Sequence, residues 1–214
     1  TAPHRLIRAL ARLLEAERPP RILPDVQEYF ARMASVMRAG LAQGYDRLGQ
    51  SLADPAFRSR FFSDRHNAAL VRTTFAVNML KASEKRNVIP PEAIADVDCR
   101  MLAGEDPEEI VAWVRRVVAD PQVEVSVTSP PKVPNLSPPD TELYKALSDA
   151  LHRRAPGAVV APEIMVGFTD NWVFRGLGLH AYGFGPFVLG EGELRRIHGS
   201  DERISVENLT AGVR

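Results

Sequence analysis

His198 lies in the run Arg196-Ile197-His198-Gly199-Ser200-Asp201-Glu202-Arg203-Ile204, after a glycine-rich loop and ahead of a helix. A loop histidine followed by glycine can turn its ring toward a ligand while the backbone bends sharply; the alternative is an ordinary surface residue. Asn87 and Arg100 bracket one strand pair. On the polar face of its strand, Arg100 could fork onto a substrate carboxylate. It could equally pair with Asp96 or Asp98 on a solvated sheet face, with Asn87 serving only as a turn residue. Gly167-Phe168-Thr169-Asp170 follows an expected strand and opens an expected helix. Backbone N–H groups at such a start can hold a carboxylate, although Thr169 or Asp170 as an N-cap accounts for the same pattern.

Other candidates have plainer explanations. His4 and His152 fall on arginine-rich helices, His66 in a polar turn, and His180 at the start of an apolar strand; each reads as a surface or packing residue. Glu108 and Glu109 sit in a first helical turn, where the helix dipole accounts for them.

The elements that would position these residues follow from periodicity. Pro3 suits a helix start, and Leu6, Ile7, Leu10, Leu13 and Leu14 continue at helical spacing until Pro19-Pro20 stops it. A second helix is expected near Pro24-Asp25, then short helices and loops over 41–66. Phe75, Val77 and Met79 alternate with Thr74, Ala76 and Asn78, which predicts a half-buried strand. Ala93 to Met101 alternates again, with Ala95, Val97 and Cys99 on one face and Asp96, Asp98 and Arg100 on the other. A helix is expected from Gly104-Pro107 through Val118, and a strand over Val123, Val125 and Val127. Five prolines in 129–139 mark a linker. Beyond it the pattern predicts a helix from about Asp140 to His152, strands near 159–165 and 178–184, and a last helix near Ser205, an alternation typical of parallel α/β structure.

Composition narrows the function. Lys+Arg and Asp+Glu are 27 each, and no basic stripe interrupts that balance, which argues against a nucleic-acid binder. No apolar run approaches the ~20 residues of a membrane span. Cys99, the only cysteine, cannot form an internal disulfide or a thiolate zinc site, so a reducing, cytoplasmic compartment is expected. The chain starts at Thr1, not Met, and an upstream segment is expected to be missing.

Three segments together resemble one family. Lys85-Arg86-Asn87-Val88-Ile89-Pro90 running on to Ala95-Asp96-Val97-Asp98-Cys99-Arg100, then Gly167-Phe168-Thr169-Asp170, then His198 to Ile204 are similar, in order and spacing, to metallopeptidase family 20. That di-zinc family includes aminoacylase, glutamate carboxypeptidase, carboxypeptidase S, acetylornithine deacetylase and succinyl-diaminopimelate desuccinylase. The resemblance covers residues 1–14 and 70–214, with 20–69 fitting less clearly. It implies an α+β lid and dimerisation domain over 1–128, a β-α-β-β-α-β layer lacking its first strand. Residues 129–214 would be the C-terminal part of an α/β catalytic domain.

The resemblance further implies hydrolysis of amide bonds in N-acyl amino acids or small peptides bearing a carboxylate, by a homodimer holding two zinc ions, or cobalt or manganese. His198 would ligate one zinc. Asn87 and Arg100 would hold the carbonyl oxygen and a carboxylate, in many members across the dimer, and Gly167 and Thr169 would line the carboxylate pocket. Departures are visible too. The upstream His-x-Asp motif, the bridging Asp and the Glu-Glu pair are absent, and Asn171-Trp172 replaces a frequent Ser-Arg. One histidine cannot hold a catalytic zinc, which takes about three protein ligands. The 214 residues alone are therefore expected to be inactive and to hold no metal tightly. The rival expectation is a non-catalytic dimerisation or binding module derived from this family.

Overall fold

Helix α1 spans Ala2–Glu15 with Pro3 in its first turn, and it buries Ala9 and Leu13. Pro24 likewise occupies the start of α2, Pro24–Ala34, where its missing N–H costs no helical hydrogen bond. Residues 1–37, 39–129 and 132–213 are described by this computed structural model. They divide into two compact units, Thr1–His180 and Ala181–Arg214. Pro130 and Pro131 of the expected linker lie outside the described residues.

After α2 come α3 (Ala39–Ala42), a 3₁₀ turn at Tyr45–Arg47, α4 (Leu48–Ser51), α5 (Pro55–Ser63) and α6 (Arg65–Val71). Asp64 ends α5 and caps α6, its carboxylate accepting from the His66 amide at 2.8 Å. These short helices enclose the main core: Leu23, Val26, Phe30, Tyr45, Leu48, Leu52, Phe57, Phe61, Leu70 and Val71. Phe61 meets Phe30 edge-on at 5.4 Å and Phe62 at 5.4 Å, within the range where aromatic pairs add to simple burial. The stretch that the resemblance fitted least clearly thus holds most of this buried cluster of described residues.

The strand pair β1 (Thr74–Lys81) and β2 (Ile94–Arg100) is antiparallel, with Thr74 opposite Arg100 and Lys81 opposite Ile94. A bulge at Asn78 breaks the alternation expected for β1: Val77 faces Val97, but Met79 faces Asp96. Beyond it Met79 and Leu80 are both exposed, at 65% and 67%. Helix α7 (Pro107–Val118), capped by Asp106, packs on α1, and its Trp113 stacks on Phe75 of β1 at 5.4 Å. A lone hairpin is marginal in water, and this helical support holds it in place.

One carboxylate ties these pieces together. Glu105 accepts from the Thr73 hydroxyl, from the Leu102 amide at 2.9 Å and from the Arg18 guanidinium at 2.9 Å. It follows Gly104, whose φ of +74° suits glycine and whose bare Cα lets the Arg21 guanidinium approach. Glu105→Ala is expected to cost about 2–4 kcal/mol, because it strands Arg18 and the half-buried donors around it. Urea denaturation measures it, and a loss below about 0.5 kcal/mol, typical of neutral surface sites, would remove Glu105 from that role.

Three expected strands do not form among the described residues, where the sheet has two strands. At 123–127, Val123 closes a turn onto Asp120 and the Val125 carbonyl accepts from Arg115 at 2.9 Å. At 159–165, Arg32 binds the Val160 carbonyl at 2.7 Å, Glu163 pairs with His66 at 3.0 Å, and Ile164 packs on the helical core. At 178–184, the amides of Gly178 and Leu179 close the end of α9 (Asn171–Gly176). Parallel strands exist only beside other strands, and side chains or helix ends take these backbone groups instead. The parallel α/β pattern is therefore not seen. The helix expected at about Asp140–His152 is α8, Glu142–Arg154, capped by Thr141.

The hydrogen bond that the His66 ring donates to the Glu163 carboxylate raises the His66 pKa above its ordinary 6.5, against desolvation. Its stabilising effect is therefore full below about pH 6.5 and is lost as pH rises through the folded-state value. Proton NMR should show His66 titrating above 6.5 in the wild type and nearer 6.5 in Glu163→Gln. Equal values in the two proteins would mean that the pair does not hold the 159–165 segment.

In the second unit, α10 (Glu191–Leu194) and α11 (Val206–Val213) flank the His198 turn. Asn208 donates to the Val188 carbonyl at 2.8 Å and accepts from its amide at 3.1 Å. Gly212 lies so close to the Phe187 ring that no larger residue fits without movement.

Candidate functional site

His198 adopts φ +63°, in the left-handed region that few residues other than glycine enter. Its amide donates to the Glu202 carboxylate at 3.0 Å, and the Gly199 amide closes onto the Arg196 carbonyl at 2.7 Å. A Cβ on Gly199 would stand 2.9 Å from that carbonyl oxygen, so glycine is needed there. Non-glycine residues in this conformation cost of order 1 kcal/mol or more and cluster at functional positions. Glu202 was not singled out by the sequence reading; its signal was its place four residues after His198.

Asn87 lies exposed in the turn between β1 and β2, and Arg100 stands at the opposite end of β2, across from Thr74. Six steps of about 3.3 Å put roughly 20 Å between Arg100 and the loop end of β2. Within one chain the two residues are therefore not brought together. Arg100 is half-exposed, and its Nε donates to Asp98 at 3.0 Å, two residues back on the same face. An exposed pair of this kind is weak, roughly 0–1 kcal/mol, and a substrate carboxylate could displace it. Opposite Phe75, burial pushes the Cys99 thiol up to about 11, so it stays protonated at neutral pH.

Gly167 and Thr169 lie in the bend before α9. Gly167 has ordinary space around it, its nearest neighbour being the Met165 side chain. The cap expected from Thr169 or Asp170 side chains is not made; Asp170 is the N-cap residue without a side-chain hydrogen bond. The amides of Trp172 and Val173 already donate to the Thr169 and Asp170 carbonyls. Trp172 is anchored through its indole N–H to the Val133 carbonyl at 2.9 Å.

Among the described residues no three His, Cys, Asp or Glu side chains are grouped to hold a metal ion. His198 is thus not grouped with two further such side chains among them. Among them too, no helix is long and apolar enough to cross a membrane.

Residues 2–126 match the family model for the peptidase dimerisation domain, a match that runs through 20–69 as well. The chain is 40% identical over 142 residues to the N-fatty-acyl-amino acid synthase/hydrolase PM20D1 of Xenopus tropicalis, covering 66% of this chain and 28% of that protein. It is 36% identical over 146 residues to a probable carboxypeptidase S-like 2 of Dictyostelium discoideum, covering 65% and 27%. A succinyl-diaminopimelate desuccinylase of Hydrogenovibrio crunogenus is 27% identical over 150 residues, covering 68% and 37%. The chain thus spans less than two fifths of the length of these relatives. No solved structure matches it. With the α+β fold of the hairpin and its helices, the family match over more than half of the residues establishes that the chain belongs to the M20 peptidase family and carries its dimerisation domain.

Proposed function

We propose that the protein carrying this chain hydrolyses the amide bond of an N-acyl amino acid or small peptide with a free carboxylate. The observation that carries this reading is the dimerisation-domain match over 2–126. Relatives named for N-fatty-acyl-amino acid hydrolysis, carboxypeptidase action and desuccinylation agree on an amide beside an amino acid. The activity would depend on two divalent ions, zinc first and cobalt or manganese as alternatives. His198 would contribute one ligand and residues beyond these 214 the rest. Paired ions can activate water and polarise a carbonyl, and the 214-residue chain alone would be inactive.

Residues 1–128 would form the lid and 129–214 the C-terminal part of the catalytic domain. The lid would pair with a second copy. Both strands of the hairpin keep an outer edge without a strand partner among the described residues, and exposed edges invite pairing. The roughly 20 Å between Arg100 and the loop end of β2 fits roles for Asn87 and Arg100 at separate points of a substrate site or in two sites of a dimer. Gly167 and Thr169 would line the pocket for the carboxylate.

The test is release of free amino acid from a panel of N-acyl amino acids, before and after chelation and zinc addition. Light scattering on the same protein reads its oligomeric state. Hydrolysis that is lost with chelation and restored by zinc is expected, from a dimer. A panel left uncleaved by zinc-loaded protein sinks the enzymatic reading, and a monomer at high concentration sinks the dimer.

A further inference from the structure

We infer that a cavity between α2 and the α5–α6 corner binds a medium-chain carboxylic acid, at a site separate from the one proposed for the substrate. The cavity measures about 330 Å³, within the size range of small-molecule pockets. That is roughly twice a ~150 Å³ cavity that accepts benzene, which leaves room for about ten non-hydrogen atoms. Its two sides differ in chemistry. From α2 and the turn after it come Phe30, Met33 and Met37, an apolar wall whose thioethers adapt to an unbranched chain. From α5, α6 and the residue that joins them come Arg60, Asn67 and Asp64. Tyr45 touches both sides, its ring 5.3 Å from that of Phe30 and its hydroxyl accepting from the Asn67 amide at 3.4 Å.

Donors without acceptors surround this space. Tyr45 is 7% exposed, yet among the described residues its hydroxyl proton meets no acceptor, and a buried donor left unmade is costly. Tyr29, on α2, also lines the cavity and makes no side-chain hydrogen bond among those residues. Burial pushes its phenol up to about 12, so it stays a donor. Arg60 has no carboxylate within ion-pair distance among them. Its guanidinium rests 5.2 Å from the Phe57 ring centroid and reaches the Gln43 carbonyl at 3.4 Å, too long for a strong bond. Asp64 is already engaged at the start of α6 by the amides of His66 and Asn67, at 2.8 and 3.4 Å. An incoming polar group therefore meets a guanidinium and phenol donors, which a carboxylate satisfies and an amine does not. The apolar wall sets the rest of the ligand, an aliphatic chain of about eight carbons in the remaining volume. No motif announces the site, because its residues are spread from 29 to 67 over separate short helices.

The experiment titrates sodium octanoate, octan-1-ol and sodium acetate into the 214-residue chain and reads the Met33 and Met37 methyl signals by NMR. Octanoate should shift both methyls saturably. Octan-1-ol should bind about tenfold or more weakly, the scale of one charge-assisted hydrogen bond, and acetate should show no saturation. Arg60→Met should weaken octanoate by about the same factor, and Tyr45→Phe by about two- to tenfold, the scale of one neutral hydrogen bond. Circular dichroism checks that each variant folds, and Arg60, being exposed, tests the site even where Tyr45→Phe does not fold. Arg100→Ala should bind octanoate like the wild type. Methyl signals that octanoate leaves in place, equal affinity for octan-1-ol, or wild-type binding in Arg60→Met overturns the inference. Loss of octanoate binding in Arg100→Ala overturns it too, by moving the acid to the substrate site.

Discussion

Phe61→Ala should unfold the helical part of the dimerisation domain at temperatures where the wild type is intact. Phe61 is fully buried at the meeting point of α2, α5 and the Tyr45 turn, with Phe30, Tyr45, Phe57 and Phe62 around its ring. Truncating a buried phenylalanine costs about 3–5 kcal/mol, the lost transfer energy plus the cavity left behind. In a chain of this size that is a fall in melting temperature of roughly 6–20 °C. Short helices make the effect more damaging. Helices α4 and α6 are too brief to persist without tertiary support, so their order depends on this cluster. Phe61→Leu keeps most of the apolar volume and should cost clearly less. Thermal denaturation followed by circular dichroism and by tyrosine environment gives both values. If Phe61→Ala shifts the midpoint by less than about 2 °C, under the scale of 1 kcal/mol, the aromatic cluster is not what holds this region.

Why this cluster was hard to read in advance is instructive. In 1–15 and 107–118 the apolar residues keep helical spacing over three or more turns, and both helices appear where that spacing puts them. In 39–71 no helix exceeds nine residues, too few turns for a period to declare itself. The information there is in aromatic residues that meet only after the chain has folded back. The strands separate along a similar line. β1 and β2 are neighbours joined by one turn, so alternation in each sufficed to place them. The segments at 123–127, 159–165 and 178–184 carry strand-like composition, yet strand formation is a property of a pair. Without a neighbour, their carbonyls and amides bind Arg115, Arg32 and the end of α9 instead. Of the site, the positions of Asn87 and Arg100 on the hairpin and of Gly167 and Thr169 before a helix were legible. The left-handed backbone of His198 needed three dimensions.

In the whole protein, His198→Ala should abolish turnover, whereas Arg100→Ala should mainly weaken substrates that carry a carboxylate. The two effects differ because the two side chains would meet the substrate through different chemistry. Loss of a metal ligand opens a coordination position and disturbs the ion itself, with little left to compensate. His198 is also held in an unusual conformation by the Glu202 carboxylate and by the tight turn at Gly199. Alanine keeps a Cβ in the same left-handed backbone, so the turn should survive and the loss should fall on the ring. A fall in bound zinc by elemental analysis should accompany the loss of rate. Arg100 now donates only to Asp98, and its half-exposed side chain fills no core space, so its removal should leave stability almost unchanged. What disappears is charge-assisted binding of about 1.5–3 kcal/mol, a factor of roughly 10–100 in affinity for the acid. The carboxamide analogue should bind nearly as before. Near-normal turnover and zinc content in His198→Ala would exclude it as a ligand. Equal losses on acid and carboxamide in Arg100→Ala would return Arg100 to its plain role, a guanidinium paired with Asp98 on a solvated sheet face.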